Sequence, residues 1–277
     1  MKNLREKVVG DKKIIVVLTS FPPRIGTVHI PIKRMLRNKI QPDKVILYLA
    51  TSQFPNKLDD VSEKLRKLLT KDSRFEIRFL ADDKRQFKGV VTGIKEYPND
   101  FIINIDDDVY YPRNLIKHLL KRAAKYPGCI IARRARYALF DKQGNLKPYK
   151  KWRINTFFGN WLTKGSTPRF RNLPTQVGGV LYPPNSLHKD IVNEELFNKY
   201  KPASGDVWFW IMAIRNGTKI AISSMYVCYF AIPGTVKSGL WRTLRNHKRG
   251  TVSQKDLFIQ KVMVEYPDVW EAIRNEK

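Results

Sequence analysis

The chain is poor in cysteine, with two in its 277 residues, Cys129 and Cys228. Both lie in apolar, strand-like runs and match no metal-binding spacing, so the sequence predicts buried thiols and not a disulfide framework or a zinc site. The chain also lacks any apolar run of the roughly 18–20 residues that a membrane-spanning helix requires. Its first apolar segment, Ile14 to Leu18, is too short for a secretory signal. We therefore expect a reducing, cytoplasmic location.

Acidic residues are scarce as well: 25 Asp and Glu face 52 Lys and Arg, which gives a net charge of +27 and a pI near 10.1. Such a charge implies an acidic partner, which could be nucleic acid, an anionic membrane face or a phosphorylated substrate. Between Val109 and Thr175 the only acidic residue is Asp141. Aromatic residues interleave with the basic ones over residues 147–175, a pattern that suits a phosphate-bearing glycan, single-stranded nucleic acid or anionic lipid. A plain solvated basic face is the alternative.

No glycine-rich phosphate loop is present, which excludes both a P-loop and a dinucleotide-binding Rossmann fingerprint. The first apolar run ends instead in Thr19-Ser20-Phe21-Pro22-Pro23-Arg24. Small hydroxyls, a proline turn and an arginine at the end of a strand suit the base, ribose or phosphates of a nucleotide. An ordinary turn between a strand and a helix is the alternative interpretation.

What the chain does have is a regular alternation of short apolar runs and segments with helical spacing. This alternation favours an α/β fold with a mostly parallel sheet and right-handed crossovers. Predicted strands cover residues 14–18, 44–49, 75–80, 101–105, 129–132, 176–182, 219–222 and 225–230, and predicted helices cover 28–37, 59–69, 90–96, 112–126, 206–216, 257–264 and 269–273.

The most informative stretch is Phe101–Ile105, a buried strand by composition, with Asp106, Asp107 and Asp108 directly after it. Carboxylates in this position lie at the C-terminal edge of the sheet, where open α/β proteins bind ligands. Adjacent aspartates raise one another's pKa unless a cation is present, and hard oxygen ligands suit Mg²⁺ or Mn²⁺. In an extended chain Asp106 and Asp108 point the same way, so we expect this pair to face a metal and a diphosphate. A solvated acidic turn that caps the next helix is the alternative.

Two later segments also carry candidate chemistry. Gly178 and Gly179 interrupt an apolar run, which usually marks the close approach of a ligand or another backbone, or else a β-bulge. Asp206 opens a predicted helix that continues to about Asn216. Its ordinary explanation is an N-cap, since aspartate is among the best N-cap residues.

The strand followed by Asp-x-Asp, about a hundred residues into an α/β pattern, resembles the metal-binding motif of GT-A glycosyltransferases. The resemblance covers most of residues 14–230 and implies that Asp106 and Asp108 bind the Mn²⁺ or Mg²⁺ that holds a nucleotide-sugar diphosphate. It also implies donor contacts from the loop after the first strand, from the aspartate triplet, and from the charged segment at 81–89. The implied donor-binding residues are Thr19, Ser20, Phe21, Arg24, Asp83, Lys88, Asp106 and Asp107.

The same resemblance implies roles in the second half of the chain. Asp206 corresponds to the acidic residue that acts as general base in inverting GT-A enzymes, and His247 to a late histidine that some of them use as an extra metal ligand. A lone histidine among Arg and Lys is more often a surface residue. We nominate Gly178, Gly179, Trp161 and Trp208 as acceptor contacts. The chain departs from the family pattern at Ala50-Thr51-Ser52, where many relatives have an aspartate, and at Gly205-Asp206, which replaces a doubled acidic pair.

Together these observations predict a GT-A domain over residues 1–233, with a nucleotide-sugar half at 14–111 and an acceptor half at 112–233, and a basic helical extension at 234–277. The predicted activity is metal-dependent transfer of a sugar to a glycan or lipid-linked acceptor, with an anionic membrane surface as a further partner. Two alternatives stay open. One is a metal-dependent nucleotidyltransferase, and the other is a nucleic-acid-binding protein, against which the aspartate cluster and the absence of a known binding module argue.

Overall fold

The computed structural model describes residues 2–155, 167–200, 204–223, 230–235 and 253–276. Its strands are β1 Ile14–Thr19, β2 Lys44–Ala50, β3 Phe75–Leu80, β4 Phe101–Asn104, β5 Ile130–Ala132, β6 Ala135–Tyr137, β7 Arg153–Asn155, β8 Asn172–Pro174, β9 Val180–Tyr182 and β10 Ile220–Ile222. Its helices are α1 Lys2–Val9, α2 His29–Leu36, α3 Glu63–Lys71, α4 Lys88–Glu96, α5 Leu115–Lys125, α6 Glu194–Tyr200, α7 Gly205–Arg215, α8 Gln254–Glu265 and α9 Pro267–Arg274.

Seven of these strands form one mixed sheet in the order β10-β5-β9-β4-β1-β2-β3. The pairs β3–β2, β2–β1, β1–β4 and β5–β10 are parallel, whereas β9 runs antiparallel to both β4 and β5. A small antiparallel sheet, β7-β6-β8, accompanies it. The predicted mixed, mostly parallel α/β sheet is therefore confirmed.

The sheet is covered on both faces, as its continuously apolar strands require. Alternate residues of β1 enter two separate clusters: Ile15 and Val17 lie in one, Val16 and Leu18 in the other. The first cluster is completed by residues of α4, α7, α8 and α9, and the second by residues of α2, α3 and α5. Two glycines let α4 approach closely, since a Cβ at Gly89 or Gly93 would lie 3.0 Å from side-chain atoms of Asn104 or Val17, respectively.

Three predicted elements differ from the structure. The helix expected over residues 59–69 is split into a 3-10 turn at Lys57–Asp60 and α3, because the backbone at Val61 and Ser62 is extended. The helix expected from Pro112 begins at Leu115. The strand expected at 176–182 begins with a 3-10 turn at Gln176–Gly178, and the backbone then passes through Gly179 with φ of 85° before β9 starts.

The C-terminal helices are integrated into the body of the molecule. Phe258 and Val262 of α8 and Val269 and Ile273 of α9 are buried in the same apolar cluster as α7. Among the described helices, none is both long enough and apolar enough to cross a bilayer. The predicted strand at 225–230 lies almost wholly outside the described residues, as do Cys228 and the basic block 237–249, whereas Cys129 is a half-buried free thiol.

Candidate active site

The loop after β1 meets the aspartate triplet after β4, because the two strands are parallel neighbours and Val17 pairs with Asn104. Ser20 Oγ donates a 2.6 Å hydrogen bond to Asp107 Oδ2, and Arg24 Nη1 donates one of 2.6 Å to Asp107 Oδ1. The other guanidinium nitrogen, Nη2, lies 2.8 Å from Asp108 Oδ2. The arginine thus bridges two of the three carboxylates.

Asp107 faces the protein. It is 5% exposed, and burial raises its pKa although Arg24 and Ser20 act in the opposite direction. Its two oxygens are satisfied by Ser20 and Arg24, so it anchors the triplet to the β1 loop. Asp107 is buried while its two neighbours are partly exposed, but the backbone turns at Asp107 and Asp108 and Arg24 contacts both, so the alternation expected of an extended chain does not describe the triplet.

Asp106 is held through its backbone, whose N–H donates to the Tyr111 hydroxyl at 2.8 Å, and that hydroxyl donates to the Val177 carbonyl at 3.1 Å. Its carboxyl group has a pKa well above the ordinary value. Burial is the largest cause, and the charges of Asp108, Asp206 and Asp107 follow in that order. Three neighbouring carboxylates thus act on Asp106 in the same direction as burial, and Arg24 acts in the opposite direction.

Asp106 and Asp108 suit an Mg²⁺ or Mn²⁺ ion that is also bound by a substrate phosphate. In the described part of the chain, no three His, Cys, Asp or Glu side chains surround a single point at which a metal could bind. Asp106 and Asp108 would thus supply one or two carboxylates, and a diphosphate and water would complete the shell, as is usual for Mg²⁺. His247 lies outside the described residues.

Asp206 reaches the same site from α7. It is the second residue of the helix, and Ser204 occupies the N-cap position, so capping does not explain the aspartate. Its Oδ1 accepts a 3.2 Å hydrogen bond from the Gln176 backbone N–H. The Gln176 side chain in turn accepts from Asn104 Nδ2 at 2.9 Å and donates to the Tyr182 hydroxyl at 2.7 Å. This buried network links the end of β4 to Asp206.

Cations surround Asp206 on its other side. Burial raises the pKa of Asp206, and the charge of Lys255 is the largest influence in the opposite direction, followed by the Gln176 N–H, Arg134 and Arg136. The net result is a raised pKa. These cations come from the β5–β6 connection, from β6 and from the first turn of α8.

Asp83 and Lys88 form an ion pair with each other. Lys88 is 2% exposed, and its Nζ donates a 2.6 Å hydrogen bond to Asp83 Oδ1. Burial alone would raise the pKa of Asp83, but the hydrogen bond and charge of Lys88 outweigh it and the pKa is lowered. The charge of Lys88 is thus already paired with a carboxylate.

The remaining nominated residues are dispersed. Thr19 ends β1, and the Phe21 ring centroid lies 5.4 Å from the Arg24 guanidinium carbon. Gly178 and Gly179 form the turn before β9, next to Gln176. Trp208 corrects our expectation: it is fully buried between Tyr200 and Phe258, so its ring is not available to an acceptor. Trp161 lies outside the described residues.

Sequence reasoning missed several residues of the site. Asn104 was detectable in principle as a polar side chain inside an apolar strand, and Gln176 as a polar residue ahead of two glycines. Nothing in the local sequence marks Tyr111 or distinguishes three cations from the other basic residues of the chain. Those cations are Arg134, Arg136 and Lys255.

A mixed sheet with one antiparallel strand inserted beside β4, and with carboxylates at the end of β4 and the start of α7, is the architecture of a GT-A glycosyltransferase. The chain belongs to glycosyl transferase family 2, whose family model matches residues 32–197. It is a glycosyltransferase with a GT-A fold.

Solved structures with a related fold include TarS residues 1–349 from S. aureus, at 11% identity and a TM-score of 0.47. The match covers 79% of this chain and 60% of that one, so the chain spans less than two thirds of its length. The same TarS fragment in complex with UDP gives a TM-score of 0.45, also at 11% identity and the same coverage. A 4-diphosphocytidyl-2C-methyl-D-erythritol synthase from Anaerococcus prevotii gives 0.44 at 12% identity, over 79% of this chain and 92% of that one. Among curated proteins, none matches this chain.

Proposed function

We propose that the protein transfers a sugar from a nucleotide-sugar donor to a hydroxyl of a glycan or lipid-linked acceptor, with metal dependence and inversion of configuration. The observation that carries the proposal is the convergence of two acidic residues one hundred positions apart in the sequence. Asp206 lies close enough to Asp106 to be among the charges that raise its pKa. A base and a metal–diphosphate site must be adjacent for such a transfer.

The donor half of the pocket is formed by Asp106 and Asp108, which would hold the divalent cation. When bound, the cation supplies Lewis-acid stabilisation of the departing diphosphate. The protein's own part is to fix the two carboxylates. Arg24 does so by bridging Asp107 and Asp108, and Tyr111 by accepting the Asp106 N–H.

Asp206 serves as the general base of the acceptor half. Its Oδ1 is oriented by the Gln176 N–H, and Oδ2 makes no hydrogen bond with the described residues, so Oδ2 can accept the proton of the attacking hydroxyl. Burial raises the pKa of this carboxyl, which makes the carboxylate a stronger base. Attack from the side opposite the leaving diphosphate inverts the anomeric configuration.

The setting we propose is the synthesis of a surface polysaccharide or lipooligosaccharide by a protein bound at the inner face of the cytoplasmic membrane. The net charge of +27 supports an anionic partner surface. Flotation of the full chain with vesicles tests this. Vesicles that contain anionic lipid should carry the protein and neutral vesicles should not, and equal binding to both would contradict the proposal.

The donor site is tested by a thermal-shift screen of UDP-, GDP-, CMP- and dTDP-sugars with and without Mn²⁺. We expect a metal-dependent rise in Tm for the sugars of one nucleotide, because a ligand that binds only the folded state stabilises it. The rise should be absent in Asp108→Ala. No response to any nucleotide, together with tight RNA or DNA binding, would contradict the proposal, and turnover of nucleoside triphosphates would favour a nucleotidyltransferase.

A further inference from the structure

Two cations pack on the ring of Tyr149. This residue begins a 3-10 turn at Tyr149–Lys151, shortly before β7. The Arg136 guanidinium carbon lies 4.7 Å from the centroid of its ring, and Lys255 Nζ also lies 4.7 Å from that centroid. Arg136 Nη1 additionally reaches the carbonyls of Tyr149 and Trp152 at 3.4 and 3.3 Å.

Lys255 is brought there by a specific attachment of α8. Asp256 Oδ1 accepts a 2.7 Å hydrogen bond from the Tyr149 N–H, and Oδ2 accepts one of 2.5 Å from Ser253 Oγ. Ser253 is the N-cap residue of the helix. The acidic neighbour of Lys255 is therefore engaged in fixing the helix start to the Tyr149 turn, more than a hundred residues away in sequence.

Neither Arg136 nor Lys255 has a carboxylate within ion-pair distance among the residues that the structure describes. Arg134 Nη1 donates to Thr175 Oγ1 at 3.2 Å. All three half-buried cations lower the pKa of Asp206, and Thr175, which Arg134 contacts, directly precedes the residue whose backbone N–H donates to Asp206 Oδ1. Partly desolvated cations interact more strongly with an anion than the solvated lysines of an open basic face would.

We infer that Arg136 and Lys255, which pack on the Tyr149 ring, form together with Arg134 a subsite for an oxyanion carried by the acceptor, either a phosphate or a carboxylate. The inference rests on the proposed function, because it places this group beside the hydroxyl that Asp206 activates. Arginine suits such a role because its planar donors match the geometry of phosphate and carboxylate oxygens. The predicted acceptor is a phosphorylated or uronic-acid-containing glycan, not a neutral one.

The test is the binding of the full chain to an array of immobilised glycans, with Mn²⁺ and the nucleotide identified by thermal shift both present. The array carries phosphorylated, uronic-acid-containing and neutral glycans, so it separates the two sources of an oxyanion. The test variant is Lys255→Gln. Its matched control is Lys261→Gln, which removes the same charge from the same helix at an exposed position near Tyr200.

We expect the anionic glycans of one class to bind, and Lys255→Gln to weaken that binding about tenfold, since a charge-assisted hydrogen bond is lost. Lys261→Gln should bind as the unchanged protein does. Preference for neutral glycans, no preference for anionic ones, or equal losses in the two variants would overturn the inference. In each of these cases a retained Tm response to nucleotide and Mn²⁺ would leave the donor site standing, whereas loss of that response in the unchanged protein would contradict the proposed function itself.

Discussion

The two halves of the pocket differ in how their charges are handled. On the proposed donor side, Arg24 bridges two carboxylates of one short segment, and three aspartates act together on the pKa of Asp106. On the proposed acceptor side, cations from residues 134–136 and from the start of α8 act on Asp206 and lower its pKa against the effect of burial. A diphosphate with its metal ion and an anionic acceptor would meet opposite fields within one site. The net charge of +27 therefore does not describe the surroundings of the proposed site, where aspartates act on Asp106 and cations act on Asp206.

The strongest test of this division is Asp206→Asn. Asparagine keeps the size and the Gln176 contact but cannot accept the proton, so transfer should fall by roughly 10²- to 10⁴-fold. Binding of nucleotide with Mn²⁺, measured by thermal shift, should persist. Asp268→Asn, at an exposed position in the first turn of α9, is the control. Loss of nucleotide binding together with transfer would mean that Asp206 belongs to the donor half.

A second test separates two neighbours on the donor side. Asp107→Asn leaves the buried Arg24 short of a partner and should cost about 2–3 kcal/mol of unfolding free energy, a fall in Tm of roughly 3–5 °C for a chain of this length. Asp108→Asn should lower the Tm less, because Asp108 is 23% exposed, but it should abolish the response to nucleotide and Mn²⁺. If Asp107→Asn and Asp108→Asn changed the Tm and the response to nucleotide with Mn²⁺ equally, Asp107 could not be assigned as the anchor and Asp108 as the metal ligand.

A third test concerns Gly179, in the turn before β9, where we expect a smaller loss of stability. Gly179 has φ of 85°, and a Cβ there would lie 3.3 Å from the methyl groups of Leu115. Gly179→Ala should therefore destabilise the protein by about 1–2 kcal/mol in urea unfolding. Gly26→Ala is the control, since it has neither a positive φ nor an atom within 4 Å of its Cβ, and it should change stability little. A neutral Gly179→Ala would point to ligand approach, and not packing, as the reason for the glycine.

A further effect, of about the same size, concerns Asp83, which forms an ion pair with Lys88. The lowered pKa of Asp83 means that the pair stabilises the fold fully above the ordinary value of 3.8, and that this stabilisation is lost as the pH falls through the lower folded-state pKa. Asp83→Asn should cost about 1–2 kcal/mol at pH 7, since solvent reaches the carboxylate, and the difference from the unchanged protein should shrink below pH 3.8. Urea unfolding at several pH values measures it, and a constant difference would exclude the ion pair as the cause.

The difference between the halves also explains what could be predicted from the sequence. The donor side was predictable because its parts are local: a buried strand, the aspartates that end it, and a parallel neighbour whose loop must lie beside it. Asp206 was found only because a family resemblance pointed to it. The cations at 134, 136 and 255 were not nominated, because their proximity depends on how α8 attaches to the Tyr149 turn, and no local spacing encodes that contact.

Trp208, in contrast, was nominated from the sequence, and the structure shows that the nomination was wrong. Its aromatic ring beside a candidate base suggested an acceptor contact, yet the side chain is fully buried. A helix that is apolar around its circumference, as α7 is, lies in the core, and its tryptophans pack against neighbouring elements. The mixture of Val, Trp, Phe and Ile after Asp206 contained this information, since eight of the nine residues after Asp206 are buried.

The central claim is that Asp106 and Asp108 form a metal site that a nucleotide diphosphate completes, and that Asp206 lies beside this site without being part of it. Electron paramagnetic resonance of Mn²⁺, titrated into the full chain with and without the responding nucleotide, tests it most directly. We predict tight Mn²⁺ binding only with the nucleotide present, lost in Asp108→Ala and retained in Asp206→Asn. Mn²⁺ binding that survives in Asp108→Ala, or that does not depend on the nucleotide, would contradict the account.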